Sequence, residues 1–179
     1  MLGNRSGGCS SILKKCNVLS CTRTRNPFTY DYKLKGHTLE YEQSSKYLGV
    51  DLSKDLSWNT HIDRVTKKAN CMLGFLKRNL KTPNTRTKAN AYNTLVRPHL
   101  EYCCTIWNPG TKDKTHKIES IQRRAARYVC NKYGRTDSVS KMISELGWES
   151  LESRRGKLQL TMLYKIVNQL VDRTISIKN

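Results

Sequence analysis

Two hydrophobic periods divide the chain. Over the first fifty-odd residues apolar and polar positions alternate. Tyr30, Tyr32 and Leu34 alternate with Asp31, Lys33 and Lys35, Gly36 interrupts, and Thr38-Leu39-Glu40-Tyr41 resumes. That pattern predicts a hairpin with Lys35-Gly36-His37 at its turn. Leu48, Val50 and Leu52 alternate with Tyr47, Gly49 and Asp51, which predicts one further strand. Asn17-Val18-Leu19-Ser20-Cys21 reads as an earlier strand, and Arg25-Asn26-Pro27 breaks the pattern between them.

From Trp58 the period becomes helical. Ile62, Val65, Ala69, Leu73, Leu76 and Leu80 form a stripe at steps of three and four. Asn59 or Thr60 can cap its start, Asp63 falls in the expected first turn, and Pro83 ends it. Tyr92, Leu95, Val96, Leu100 and Cys103 form a second stripe. Pro98 lies inside it, which predicts a kink or two helices. Trp107-Asn108-Pro109-Gly110 is a turn. Ile118, Ile121, Ala125, Tyr128 and Val129 form a third stripe. Ser138 opens a short helix through Val139, Met142, Ile143 and Leu146, with Gly147 as its C-terminal cap. Ser150 opens the last, with Leu151, Leu158, Met162, Ile166 and Leu170 as its apolar side. The expected fold is α+β, mainly α. A small β region (1–56) precedes a helical bundle (57–173), and 174–179 form a fraying tail.

Composition changes the picture through charge. The 179 residues carry 33 Lys plus Arg against 14 Asp plus Glu, a net +19. Residues 1–56 hold nine basic and five acidic residues, and 57–179 hold 24 and nine. The excess therefore sits on the helical part. Ordinary domains of this size stay within about eight charges of neutral. An excess on this scale attracts a polyanion, and nucleic acid is the favoured one. No apolar run approaches the roughly 20 residues of a membrane-spanning helix. Met1 to Ser11 lacks the apolar block of a signal peptide. An intracellular protein, nuclear or cytoplasmic, is expected. The seven cysteines include no Cys-x-x-Cys, and the four histidines are scattered. Reduced, partly buried thiols are expected rather than a metal site.

Catalytic patterns are sparse. Two-metal nucleotidyl transfer needs close carboxylates on a rigid turn. The aspartate pair on the strand side, Asp51 and Asp55, reads as turn and cap residues, and Glu40 and Glu42 fall on solvent-facing positions of the expected hairpin. There is no Gly-rich phosphate loop after a strand and no Gly-x-Ser-x-Gly. Basic clusters on helices stand out instead. Lys67, Lys68, Lys77, Arg78 and Lys81 run along the polar side of the first helix. Arg123, Arg124 and Arg127 face away from the third stripe. Arg154, Arg155 and Lys157 crowd the start of the last helix. Such clusters suit phosphate-backbone contact without base readout. Trp58, Trp107 and Trp148 suit core or helix-corner packing better than groove stacking.

Longer motifs carry a resemblance. Lys46-Tyr47-Leu48-Gly49-Val50-Asp51-Leu52 is followed by Asp55-Leu56-Ser57-Trp58-Asn59-Thr60-His61-Ile62. The pair resembles the region after the catalytic palm in reverse transcriptases of non-LTR retrotransposons, the jockey-like and related LINE elements. Leu95-Val96-Arg97-Pro98-His99-Leu100-Glu101-Tyr102 and Trp107-Asn108-Pro109 resemble that family's thumb. So do Ile121-Gln122-Arg123-Arg124-Ala125-Ala126-Arg127 and Leu146-Gly147-Trp148 with Leu151 and Arg154-Arg155. The similarity runs over roughly residues 14–171, with its motifs in family order.

The resemblance implies roles. Lys14-Lys15-Cys16-Asn17-Val18-Leu19 is similar to polymerase motif D, where a lysine matched by Lys15 acts as general acid toward the leaving pyrophosphate. The residues themselves equally fit a surface lysine opening a strand. Tyr47, Leu48 and Gly49, with Val50, are similar to motif E, the primer-grip hairpin. The helices after Asn59 look like the thumb, which clamps an RNA template and DNA primer. The family's catalytic aspartates, which hold Mg²⁺ in the parent polymerase, would lie upstream of Lys14, with the fingers. The resemblance therefore implies a palm-end and thumb fragment that does not synthesise DNA alone. Residue chemistry also admits a stand-alone nucleic-acid-binding module, or a helical scaffold for an acidic protein.

Overall fold

Two hairpin turns, Lys35-Gly36 and Leu48-Gly49, are set by paired left-handed backbone. The computed structural model describes residues 16–22 and 24–171, and the expectations for Lys15 and the 174–179 tail lie outside them. The chain divides into two compact units, Met1–His61 and Ile62–Asn179. In the first, β1 (Lys33–Leu34) pairs antiparallel with β2 (His37–Thr38). The loop between them is Lys35-Gly36, with φ of 49° and 80°. Next, β3 (Ser44–Tyr47) pairs antiparallel with β4 (Val50–Ser53), Tyr47 facing Val50. Its loop is Leu48-Gly49, with φ of 45° and 83°. Two successive positive φ values make a turn whose twist matches the flanking strands, and glycine at the second position removes half the strain.

This second hairpin corrects the single strand expected over Tyr47–Leu52. A two-residue turn preserves the period-two phase, so alternation runs through it unbroken. Leu48 is 73% exposed at the tip, whereas Val50 and Asp51 are both buried. The strand expected at 17–21 is reduced to one parallel bridge, Val18 to Tyr41. Val18 N–H donates to Glu40 O (2.9 Å) and Glu42 N–H to Val18 O (3.0 Å). The Tyr41 hydroxyl donates to Tyr30 O at 2.7 Å and accepts from Tyr30 N–H at 3.1 Å.

The helical unit follows its stripes closely. Helix α1 (Asn59–Asn79) buries Ile62, Val65, Ala69, Leu73 and Leu76. Asp63 lies just past its first turn and pairs with Lys117. Asn84 caps α2 (Thr85–Ala91) by accepting from Thr87 N–H at 3.1 Å. A π-helical turn, Tyr92–Val96, then leads into α3 (Arg97–Glu101), with Pro98 at its second position. Pro98 has no N–H to give the preceding turn. The wide turn instead closes from Arg97 N–H to Tyr92 O. The wider turn shifts the helical phase: Tyr92, Val96 and Leu100 are fully buried, while the expected Leu95 is exposed.

Helix α4 (Lys112–Cys130) buries its whole predicted stripe and ends at Asn131 in the left-handed region. Helix α5 (Val139–Glu145) is capped by Ser138, whose hydroxyl accepts from Lys141 N–H at 3.4 Å. It is closed by Gly147 at φ 63°, after which Trp148 N–H donates back to Ile143 O at 3.0 Å. Helix α6 (Leu151–Val167) is capped by Ser150. Its expected stripe fails after Leu151. Leu158, Ile166 and Leu170 are exposed, and Arg155 takes the buried position one turn on.

Polar bonds lock this packing. Tyr92 hydroxyl donates to Gln122 Oε1 (3.2 Å), and Gln122 Nε2 donates to Glu149 O (2.9 Å). The Tyr92 ring stacks on Trp148 at 4.5 Å. Trp107 is wholly buried, its indole N–H on Tyr102 O at 2.8 Å. Tyr128 hydroxyl reaches Leu80 O (2.7 Å) and Leu76 O (3.2 Å), tying α4 to the end of α1. Removing one partner of a buried pair costs more than the bond itself contributes. Tyr92→Phe is expected to lower unfolding stability by about 1–2 kcal/mol. Gln122→Ala strands both partners and opens a void, so about 2–4 kcal/mol is expected. Urea unfolding of both variants and the double variant measures these, and the double loss should fall short of the sum.

Candidate nucleic-acid interface

The basic side chains separate into two kinds once their partners are known. On α1, Lys67, Lys68, Lys77 and Arg78 are exposed along the side opposite the buried stripe. On α4, Arg123 and Arg124 are exposed and Arg127 is half-buried. The two sets meet. Burial first, and then the Arg124 guanidinium, push the Lys77 ammonium below its ordinary value. Arg124 is held in place by Ser120, with Nε on the carbonyl and Nη2 on the hydroxyl, both at 3.2 Å. Further along, burial and then Lys68 push the His99 imidazole down. Like charges held within reach of one another raise the local positive potential, and a polyanion relieves it.

The start of α6 differs, and corrects the third basic cluster expected there. Arg154 forms a two-pronged pair with Glu101 of α3, Nε on Oε1 and Nη2 on Oε2 at 3.1 Å. That pairing pushes its pKa up. Lys157 pairs with Glu149 at 2.6 Å. Arg155 is 2% exposed. Its three guanidinium nitrogens have no hydrogen-bond partner among the described residues. Burial pushes its pKa down, against the opposing charge of Glu119. Glu119 accepts from Glu152 N–H at 2.8 Å at the α6 N-terminus, and burial pushes its carboxyl up. Arg154 and Arg155 therefore brace α6 and present no free cationic surface.

In the first unit, Tyr47 and Leu48 stand exposed at the tip of the β3–β4 hairpin, with Gly49 making the turn. Asp55 caps a turn, its Oδ1 accepting from Ser57 N–H at 3.0 Å, which holds its carboxyl low. Asp51 is a strand residue instead, buried in β4, with its N–H on His61 Nδ1 at 3.2 Å. Among the described residues, no three His, Cys, Asp or Glu side chains gather as a metal site. No helix there is long and apolar enough to cross a membrane.

One cation escaped the sequence reading. Lys88 of α2 is 7% exposed, its ammonium 5.0 Å above the Tyr128 ring centroid. Such a contact contributes about 0.5–2 kcal/mol. Helix α2 carries no apolar stripe, so nothing in its local pattern marks Lys88 as inward-facing.

Known proteins similar to the chain share one chemistry. It is 29% identical over 119 residues to the probable RNA-directed DNA polymerase from transposon BS of Drosophila melanogaster. It is 31% identical over 116 residues to the retrovirus-related Pol polyprotein from type-1 retrotransposable element R1 of Nasonia vitripennis. It is 26% identical over 136 residues to the RNA-directed DNA polymerase from mobile element jockey of Drosophila melanogaster. The chain resembles non-LTR retrotransposon reverse transcriptases. These alignments take in 65%, 62% and 72% of this chain, but only 13%, 34% and 14% of the respective retrotransposon proteins. No family model matches the chain. No solved structure matches it.

The lowered Lys77 ammonium, held down by burial first and then by Arg124, has opposite consequences for stability and for binding. A lysine with a lowered folded pKa leaves the native state holding fewer protons than the unfolded chain. The penalty is therefore full at neutral pH and fades as pH rises toward the ordinary lysine value. Lys77→Gln is expected to stabilise the fold by up to about 0.5 kcal/mol at pH 7 and low salt, since exposure screens the effect. Thermal melts at several pH values and salt concentrations read this, and the gain should vanish at high pH or high salt. The same variant should bind nucleic acid more weakly.

Proposed function

We propose that the chain acts as the palm-end and thumb part of a retrotransposon RNA-directed DNA polymerase, gripping the template–primer duplex. The observation that carries this is the exposure of the basic side chains of α1 and α4, in a chain similar to retrotransposon polymerases. Residues 57–173 are the thumb. Lys67, Lys68, Lys77, Arg78, Arg123, Arg124 and Arg127 contact phosphates of an RNA template paired with a DNA primer. An A-like hybrid offers a wide, shallow minor groove along which helices track backbone and 2′-hydroxyls. Residues 1–56 are the end of the palm, and the Tyr47-Leu48-Gly49 tip is the primer grip. Its exposed Tyr47 and Leu48 give the tip an apolar surface for a nucleoside at the primer end. Lys15 keeps the motif D role of the resemblance.

Chemistry then belongs to a larger assembly with Mg²⁺ and the remaining palm and fingers. In this chain Asp55 caps the turn at Ser57 with its carboxylate, and Asp51 lies buried in β4. Mixed with primed template, Mg²⁺ and nucleotides, the purified chain is expected to extend no primer. Templated, EDTA-sensitive extension by the chain alone would refute this.

Binding is tested by salt. Counterion release makes log affinity fall with log salt by about 0.9 per phosphate contacted on a duplex. Titrating labelled RNA–DNA hybrid should give a slope of roughly −4 to −6, nearly independent of sequence. Replacing Arg123, Arg124 and Arg127 by Gln should reduce that slope by about two to three, with helicity unchanged by circular dichroism. A flat salt response in the parent protein rules out the proposed interface.

A further inference from the structure

Beyond the open cationic face, the helical unit contains a concave basic site. Where α1 and α4 end beside α2, a cleft of about 390 Å³ is lined by Lys77, Lys81, Lys88, Tyr128, Asn131 and Tyr133, among others. Among the described residues no carboxylate lines it. Its ammonium groups come from three places: α1, the segment after it, and α2. The floor is rigid. Tyr128 cannot turn aside, because its hydroxyl is bonded to both Leu76 and Leu80 carbonyls. Lys88 lies over that ring, almost fully withdrawn from water. Asn131 holds a left-handed cap at φ 52°, and two residues on, Tyr133 stands exposed at the rim.

Helix C-termini attract lysines, and that accounts for Lys77 and Lys88 singly. It does not account for three lysines lining one cleft, with one of them buried. Lysine is a compact point charge with three donors, suited to phosphate oxygens from any direction. Convergent cations favour a dianion over a monoanion. A phosphate monoester carries about −1.5 to −2 charges at neutral pH, whereas each backbone diester carries one.

We propose that this cleft binds a phosphate monoester, and that its source is the phosphorylated end of a nucleic-acid strand. The three lysines hold the phosphate, the Asn131 amide supplies a neutral donor, and Tyr133 packs on the adjoining sugar or base. The choice of a strand end over a free phosphate rests on the template–primer reading. The phosphate site itself does not. It would make the helical unit sensitive to strand termini, where the open face reads only backbone.

The experiment compares otherwise identical RNA–DNA hybrids bearing a 5′-phosphate, a 3′-phosphate or hydroxyl ends, by fluorescence anisotropy with the full chain. One phosphorylated end is expected to bind about tenfold tighter than the hydroxyl-ended hybrid. The preference should decline as pH falls below about 6, where the monoester takes up its second proton. Lys88→Gln and, independently, the exposed Lys81→Gln should each erase the preference. Lys67→Gln with Lys68→Gln should weaken all hybrids alike. In a second arm, inorganic phosphate and a nucleoside monophosphate are titrated while amide shifts of Tyr128, Asn131 and Tyr133 are followed. Shifts there without any hybrid binding support the phosphate site and defeat the template–primer reading. Hybrid binding with the expected salt slope, but no end preference and no shifts, defeats the site and leaves that reading standing. The lysines would then serve only the helix ends.

Discussion

A buried amide must satisfy an acceptor and a donor at once, and Gln122 does so by fixing three separate pieces of chain. Its oxygen takes the Tyr92 hydroxyl from the π-helical turn, and its nitrogen gives to the Glu149 carbonyl before α6. Tyr92 in turn stacks on Trp148, just after the α5 cap. Apolar stripes alone would let α3, α4 and α6 slide, since packing is tolerant of small shifts in register. Hydrogen bonds with defined partners are not. Burial pushes the Tyr92 phenol far up, so it stays a donor at any pH the fold survives.

The charge distribution makes sense on that rigid frame. Where an acid is provided, the cation is structural: Glu101 takes Arg154, Glu149 takes Lys157, and Asp63 takes Lys117. At Lys77 the balance differs: burial first, and then the Arg124 charge, holds the ammonium below its ordinary value. Like charge of this kind raises the local positive potential.

How much was legible follows from what local patterns can encode. The stripes of α1 and α4 were, because a periodic apolar side has one place to go. Ser138, Ser150 and Gly147 were, because caps have fixed chemistry. The Leu48-Gly49 turn was hidden by its own parity as an alternating pattern, although similarity to the motif E hairpin pointed to it. Arg154 and Arg155 read as surface charges because Glu101, which pairs with Arg154, and Glu119, whose charge bears on Arg155, lie more than thirty residues away in sequence. Lys88 was invisible for the same reason, since only α4 supplies the ring beneath it. The last helix misled in the other direction. Leu158, Ile166 and Leu170 were expected on its apolar side, yet all three are exposed.

The π-helical turn at Tyr92–Val96 sets the phase of α3. Each residue of an α-helix advances the direction of a side chain by about 100°. The wide turn holds one residue more than an α-helical turn would, so α3 emerges rotated by that amount relative to a continuous helix. This offset is what aims Leu100 inward and Glu101 at Arg154. The segment therefore behaves as a vernier between two helices. Losing a single residue there would keep the chain helical and every other side chain present, yet swing Glu101 away from the α6 arginine and turn a different residue toward the core.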